Sequence, residues 1–121
     1  MLPMLFSISV DHGPKFLQIT CVGPATVADW FGIFGLAAAV ASRSGETRIL
    51  IDMLGVDFEF SPEQRDEIGS HGARVLSGFE RVASVIPRAL YTGRAEDTAQ
   101  RHGLEVQSFA DLEPAMKWVA E

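Results

Sequence analysis

Residues 48–64 read Arg48-Ile49-Leu50-Ile51-Asp52-Met53-Leu54-Gly55-Val56-Asp57-Phe58-Glu59-Phe60-Ser61-Pro62-Glu63-Gln64. The stretch opens on a strand over Arg48 to Met53, because Ile49-Leu50-Ile51 is a short apolar run of the kind buried on both faces of a parallel sheet. It closes on Ser61-Pro62-Glu63-Gln64, a capping box with proline at the first helical position, which starts a helix. A buried strand feeding a capped helix is the repeating unit of a layered α/β sheet.

The same unit recurs on both sides. The helix opened at Ser61 carries Ile68, Gly72, Val75 and Phe79 on one face and is expected to end near Gly78. Val82 to Ile86 reads as a strand, Arg94 to His102 as a shorter helix stopped by Gly103, and Leu104 to Phe109 as the last strand. Asp111 then caps a final helix with a core stripe of Leu112, Ala115, Met116 and Val119. Upstream, Thr26 caps a helix running to about Ser42 that Gly45 closes. Before it, Phe6, Ile8 and Val10 alternate with Ser7 and Ser9, and the turn-rich segment Asp11 to Lys15 leads into a second strand, Phe16 to Val22. The order is ββαβαβαβα: one domain over residues 1–121, with a mainly parallel five-stranded sheet and an antiparallel edge strand.

Composition narrows the partners. Ten basic against sixteen acidic residues give a net charge of −6. Nucleic acids and anionic membranes are held chiefly through clustered Lys and Arg, so neither is expected. The longest apolar stretch, Trp30 to Ala41, is too short to span a bilayer. Met1 to Phe6 lacks a basic segment and a cleavage site, so no signal peptide is read and a cytoplasmic location is expected. Cys21, the lone cysteine, lies in an apolar run with no base nearby and reads as a buried thiol.

The element order, the Ile49-Leu50-Ile51-Asp52 strand running into a capped helix, and the closing Phe109 to Val119 segment resemble the SpoIIAA-like superfamily. That group holds the STAS domains, the anti-sigma-factor antagonists and small bacterial proteins described as STAS/SEC14-like. The opening of the first helix, Gly23-Pro24-Ala25-Thr26-Val27-Ala28-Asp29-Trp30, is similar to the last set in particular. The resemblance implies a SpoIIAA-like fold and a non-enzymatic regulatory module that binds protein or a small apolar ligand. In sporulation-type members the loop after the third strand carries Asp-Ser-Ser-Gly, and a partner kinase phosphorylates the first serine. Ser61 falls at that phosphoacceptor position, with Phe60 in place of the aspartate and Pro62 in place of the second serine.

No Ser-His-Asp or Cys-His set appears at a recognised spacing, and HExxH, P-loop and CxxC motifs are absent, so no catalytic residue is assigned. The acids Asp52, Asp57, Glu59, Glu63, Asp66 and Glu67 match no calcium loop and read as a solvated face. Glu67 and His71 share a helix face but are too few to hold a metal, and His12 and His102 are remote, so no metal or cofactor is expected. Arg81, Arg88 and Arg94 flank a strand and a helix start without a phosphate-binding glycine motif.

The first helix is the most informative segment. At about 100° per residue, Trp30, Phe34, Ala37 and Ala41 form one stripe, flanked by Phe31 and Ala38 on one side and Ile33, Leu36 and Val40 on the other. The apolar arc spans about 220°, more than twice the ~100° stripe that packs on a sheet. Small residues, Gly32, Gly35 and Ala39, fill the rest, and no charge lies between Asp29 and Arg43. Trp30, Phe31, Ile33, Phe34, Leu36 and Val40, joined by Phe58 and Phe60 if their loop folds toward the helix, are therefore the expected homodimer interface or apolar pocket. Ser61 is the alternative, as a phosphoacceptor or simply a cap.

Overall fold

A computed structural model describes residues 5–121, so residues 1–4 of the Met1 to Phe6 opening lie outside the described residues. In chain order the elements are β1 (Ser7–His12), β2 (Leu17–Pro24), α1 (Val27–Ser44), β3 (Arg48–Asp57), α2 (Pro62–Val75), β4 (Arg81–Val85), α3 (Arg94–Arg101), β5 (Val106–Phe109) and α4 (Leu112–Ala120). A single 3-10 turn, Arg88–Leu90, lies between β4 and α3.

The expected order and sheet are present. The strands lie side by side as β1-β2-β3-β4-β5, with β1 antiparallel to β2 and the remaining pairs parallel. Each crossover steps to the next strand in one direction, and right-handed connections then place α1, α2 and α3 on the same face. Alternation along β3 shows the two faces. Ile49, Ile51 and Met53 join Trp30, Ile33 and Ile68 in the larger apolar cluster. Leu50 points the other way, into a smaller cluster with Ala83, Val85, Ala115 and Val119 under α4.

Several boundaries differ from the sequence reading. β3 runs on past Met53 to Asp57 because β2 also continues, pairing Gly23 with Val56 and Pro24 with Asp57. Between Thr20–Asp52 and Val22–Gly55 the register shifts, so β3 carries one residue more than β2. β1 extends to His12, which leaves Gly13 to Lys15 as the turn. α2 ends at Val75 rather than near Gly78; the Leu76 N–H bonds the Gly72 carbonyl at 2.8 Å, and Phe79 packs on the core from the turn beyond. β5 starts at Val106, while Leu104 is buried ahead of it.

α4 departs in two ways. Asp111 occupies the cap position but its side chain accepts no capping hydrogen bond. Met116 is 39% exposed instead of buried. Trp118, on the opposite border of the stripe, packs against the smaller cluster under the Arg81 guanidinium at 5.0 Å. Arg81 and Arg48 also donate to the Trp118 and Val119 carbonyls at 2.6 and 3.1 Å, satisfying groups that a helix end leaves free. Among the described residues, no helix is long and apolar enough to cross a membrane.

Candidate functional site

α1 is closed at both ends by local chemistry. Thr26 Oγ1 accepts the Asp29 N–H at 3.2 Å and Asp29 Oδ2 accepts the Thr26 N–H at 2.8 Å, a complete capping box. Gly45 ends the helix in the left-handed conformation, φ 82°. The wide apolar arc divides into three sectors. Trp30, Ile33, Phe34, Ala37 and Ala41 are buried; Phe31, Leu36, Ala38 and Val40 are half-buried; Ala28, Gly32, Gly35 and Ala39 face outward. A Cβ built on Gly32 or Gly35 would meet nothing within 4 Å.

The β3–α2 loop does fold toward this helix, but it closes on the core. Phe58 meets the Trp30 ring edge-on at 4.7 Å and Phe60 meets it at 5.3 Å, while the two phenylalanines stack at 4.9 Å. Arg65 lies over Phe58 at 5.5 Å and donates to the Leu90 carbonyl at 3.2 Å. Phe58 is therefore buried and Phe60 half-buried, so neither widens the outward lane of α1. On the other side, Phe31 stacks on His71 at 3.9 Å, and Arg74 Nη2 approaches His71 Nδ1 at 3.1 Å. Arginine can only donate, so that nitrogen accepts.

Ser61 sits exposed at the start of α2. Its Oγ accepts the Gln64 N–H at 3.1 Å, and Gln64 Oε1 accepts the Ser61 N–H at 2.8 Å. The acidic run is dispersed. Asp52 accepts the Leu54 N–H at 3.0 Å. Asp66 accepts from Arg94 Nε and Nη2, each at 2.8 Å, and from the Thr98 hydroxyl at 3.2 Å. The Arg94 hydrogen bonds, with help from Thr98, hold the Asp66 carboxyl at about 2. Among the described residues no three His, Cys, Asp or Glu side chains gather as a metal site. Of the three flanking arginines, Arg81 binds a carbonyl of α4 and Arg94 binds Asp66. Burial, then the nearby Asp52 charge, pushes the Cys21 thiol up to about 12, which removes it as a nucleophile near neutrality.

Several spaces border these elements, among them open hollows of about 240 Å³ beside Ala38, Ala41 and Phe79 and about 410 Å³ beside Ala39, Val40 and Arg43. A cavity of about 70 Å³ sits between Trp30 and Phe34 of α1, Ile68 and Gly72 of α2, and the sheet. Pockets for drug-sized ligands enclose ~300–1,000 Å³, so this one is far too small for a lipid. At the ends of β4 and β5 an open groove of about 330 Å³ passes over Ile86, Arg88, Tyr91 and Ser108. Beside it the Tyr91 hydroxyl donates to Glu96 Oε1 at 2.5 Å, and the Ser108 N–H donates to Oε2 at 2.5 Å. The Glu96 hydrogen bond, burial and the Glu96 charge push the Tyr91 phenol up to about 12. Sequence reading missed this cluster, and no local motif in residues 91–108 signals it.

Two solved structures share the architecture along nearly their whole length. One is an anti-sigma factor antagonist from Mycobacterium paratuberculosis, with TM-score 0.67, 12% identity, and 98% of this chain matched to 97% of that one. The other is an uncharacterised protein with a SpoIIAA-like fold from Shewanella loihica, with TM-score 0.57, 19% identity and 98% of each chain covered. The chain has the SpoIIAA-like fold. No family model matches the sequence, and no curated protein matches it significantly.

Proposed function

We propose that this chain is a non-enzymatic protein-interaction module that pairs with a second copy of itself through the outward lane of α1. The observation behind this reading is the cost of Gly32 and Gly35. Glycine inside a helix is less favourable than alanine by about 0.5–1 kcal/mol. At both positions the added Cβ would touch nothing. No neighbour within the protomer requires the missing side chains, whereas another backbone lying close against the lane would.

The lane suits a copy of itself. It holds no ionisable side chain between Asp29 and Arg43, so covering it strands no charge. Phe31, Leu36 and Val40 stand half-exposed along its borders as apolar contacts. In a two-fold pair the same patch meets itself, and a flat lane of small residues fits that geometry. The occurrence of the fold in an anti-sigma factor antagonist agrees with a regulatory binding role.

Light scattering on the eluting protein should give a dimer for the wild type and a monomer for Gly35→Glu. The substitution has open space around it, so circular dichroism should be unchanged. A wild-type monomer, or a dimer that survives both Gly35→Glu and Leu36→Glu, overturns the proposal. The second reading is a switch thrown by phosphorylation of Ser61, favoured by its exposed hydroxyl at the start of α2. Phosphate there would face free N–H groups. Mass spectrometry after incubation with serine kinases, showing Ser61 unmodified, removes that reading.

A further inference from the structure

Where β4 and β5 end, Glu96 is a half-buried carboxylate without a cation. Its two hydrogen-bond donors, the Tyr91 hydroxyl and the Ser108 N–H, are both neutral. No Lys, Arg or His among the described residues forms an ion pair with it. An ionised carboxylate offers about four acceptor positions, so roughly two remain open. Glu96 lines an inner cavity, from which the N–H donors of a cation can fill those positions.

The space around Glu96 has a definite form. Glu96 lines the inner cavity of about 70 Å³, whose other walls are apolar except for Ser84 and Ser108. Tyr91 lines the outer groove of about 330 Å³. Ile86 and Ser108 border both spaces, so the Tyr91–Glu96 hydrogen bond joins the two sides of a shared wall. Tyr91 is 46% exposed and follows the 3-10 turn, two residues before Gly93 in its left-handed conformation. The outer groove lies at the carboxyl ends of β4 and β5.

We propose that Glu96 is the anchor of a binding site for a small organic cation, a primary alkylammonium that enters from the outer groove as Tyr91 turns outward. The ammonium carries three donors, which Glu96 and the Ser84 and Ser108 hydroxyls can accept. Its tail occupies the inner cavity. That cavity is about half the ~150 Å³ of an apolar cavity that admits benzene, which leaves room for about three carbons. The site is separate from the α1 lane and stands or falls independently of it.

The test is a proton–nitrogen NMR titration of the full chain with n-propylammonium chloride, with n-propanol and methylammonium as controls. Saturable shifts should appear at the Ser108, Gly93 and Val106 amides. Propylammonium should bind at least tenfold more tightly than propanol and more tightly than methylammonium. Glu96→Gln should erase the preference over propanol. Tyr91→Phe, which keeps the ring and removes the competing donor, should tighten propylammonium binding several-fold, and it decides the matter if Glu96→Gln does not fold. No saturable shift at Ser108, equal binding of propylammonium and propanol, an undiminished preference in Glu96→Gln, or no tightening in Tyr91→Phe overturns the proposal.

Discussion

α1 and α2 each carry a pair of glycines three residues apart, and the two pairs have opposite surroundings. On α2 a Cβ at Gly69 would stand 2.4 Å from the Ala95 carbonyl oxygen, and one at Gly72 would stand 3.2 Å from the Phe34 ring. These glycines let α3 and Phe34 come close. On α1 the equivalent atoms at Gly32 and Gly35 would meet nothing within 4 Å. A helix glycine therefore marks a close approach only where something approaches. On α2 the neighbour is in the same chain, and on α1 the proposed second copy supplies it.

The contrast can be broken most decisively at Gly69. Gly69→Ala drives a methyl into a backbone carbonyl that cannot rotate away, and should lower stability by about 3 kcal/mol. Urea denaturation checks this, and an unchanged midpoint would mean that the α2–α3 seam yields freely. Gly72→Ala meets the edge of an aromatic ring, which can shift by a few tenths of an ångström. Its cost should be about 1 kcal/mol by the same measurement.

The start of α2 gives a comparison outside the glycines. Ser61→Ala removes the cap acceptor and should cost about 1 kcal/mol, with Ser61→Asn restoring most of it. On α1 the sign reverses. Gly35→Ala should stabilise the isolated protomer by about 0.5–1 kcal/mol, read as a raised thermal midpoint at concentrations too low for pairing. A loss of stability there would show that Gly35 has a role inside the protomer.

The smallest expected effect is the pH response of the seam that Gly69 closes. Arg94 hydrogen bonds hold the Asp66 carboxyl at about 2, below its usual value. The folded state therefore gains from ionised Asp66 above the ordinary carboxylate range and loses that gain as pH falls toward 2. Asp66→Asn should flatten the stability curve between about pH 4 and pH 2 relative to wild type. Both partners are exposed, so the difference should be modest.

Much of this was legible in the chain itself. Thr26 with Asp29, and Ser61 with Gln64, declared two helix starts, and both capping boxes form as read. The 3.6-residue period put Trp30, Phe34, Ala37 and Ala41 inward and Gly32, Gly35 and Ala39 outward, as found. Alternation in Phe6 to Val10 marked the edge strand, whose antiparallel pairing is observed. These signals are legible because backbone hydrogen bonding and side-chain period act within one or two turns.

Tertiary structure alone decided the rest. Phe58 and Phe60 turned inward because the Trp30 ring, distant in sequence, waits beneath their loop. Met116 is exposed while Trp118, on the opposite border of the α4 stripe, packs on the smaller cluster under Arg81. Tyr91, Glu96 and Ser108 met only when α3 folded back beside β5. Each outcome depends on which distant groups share a volume, and no short window of residues carries that information.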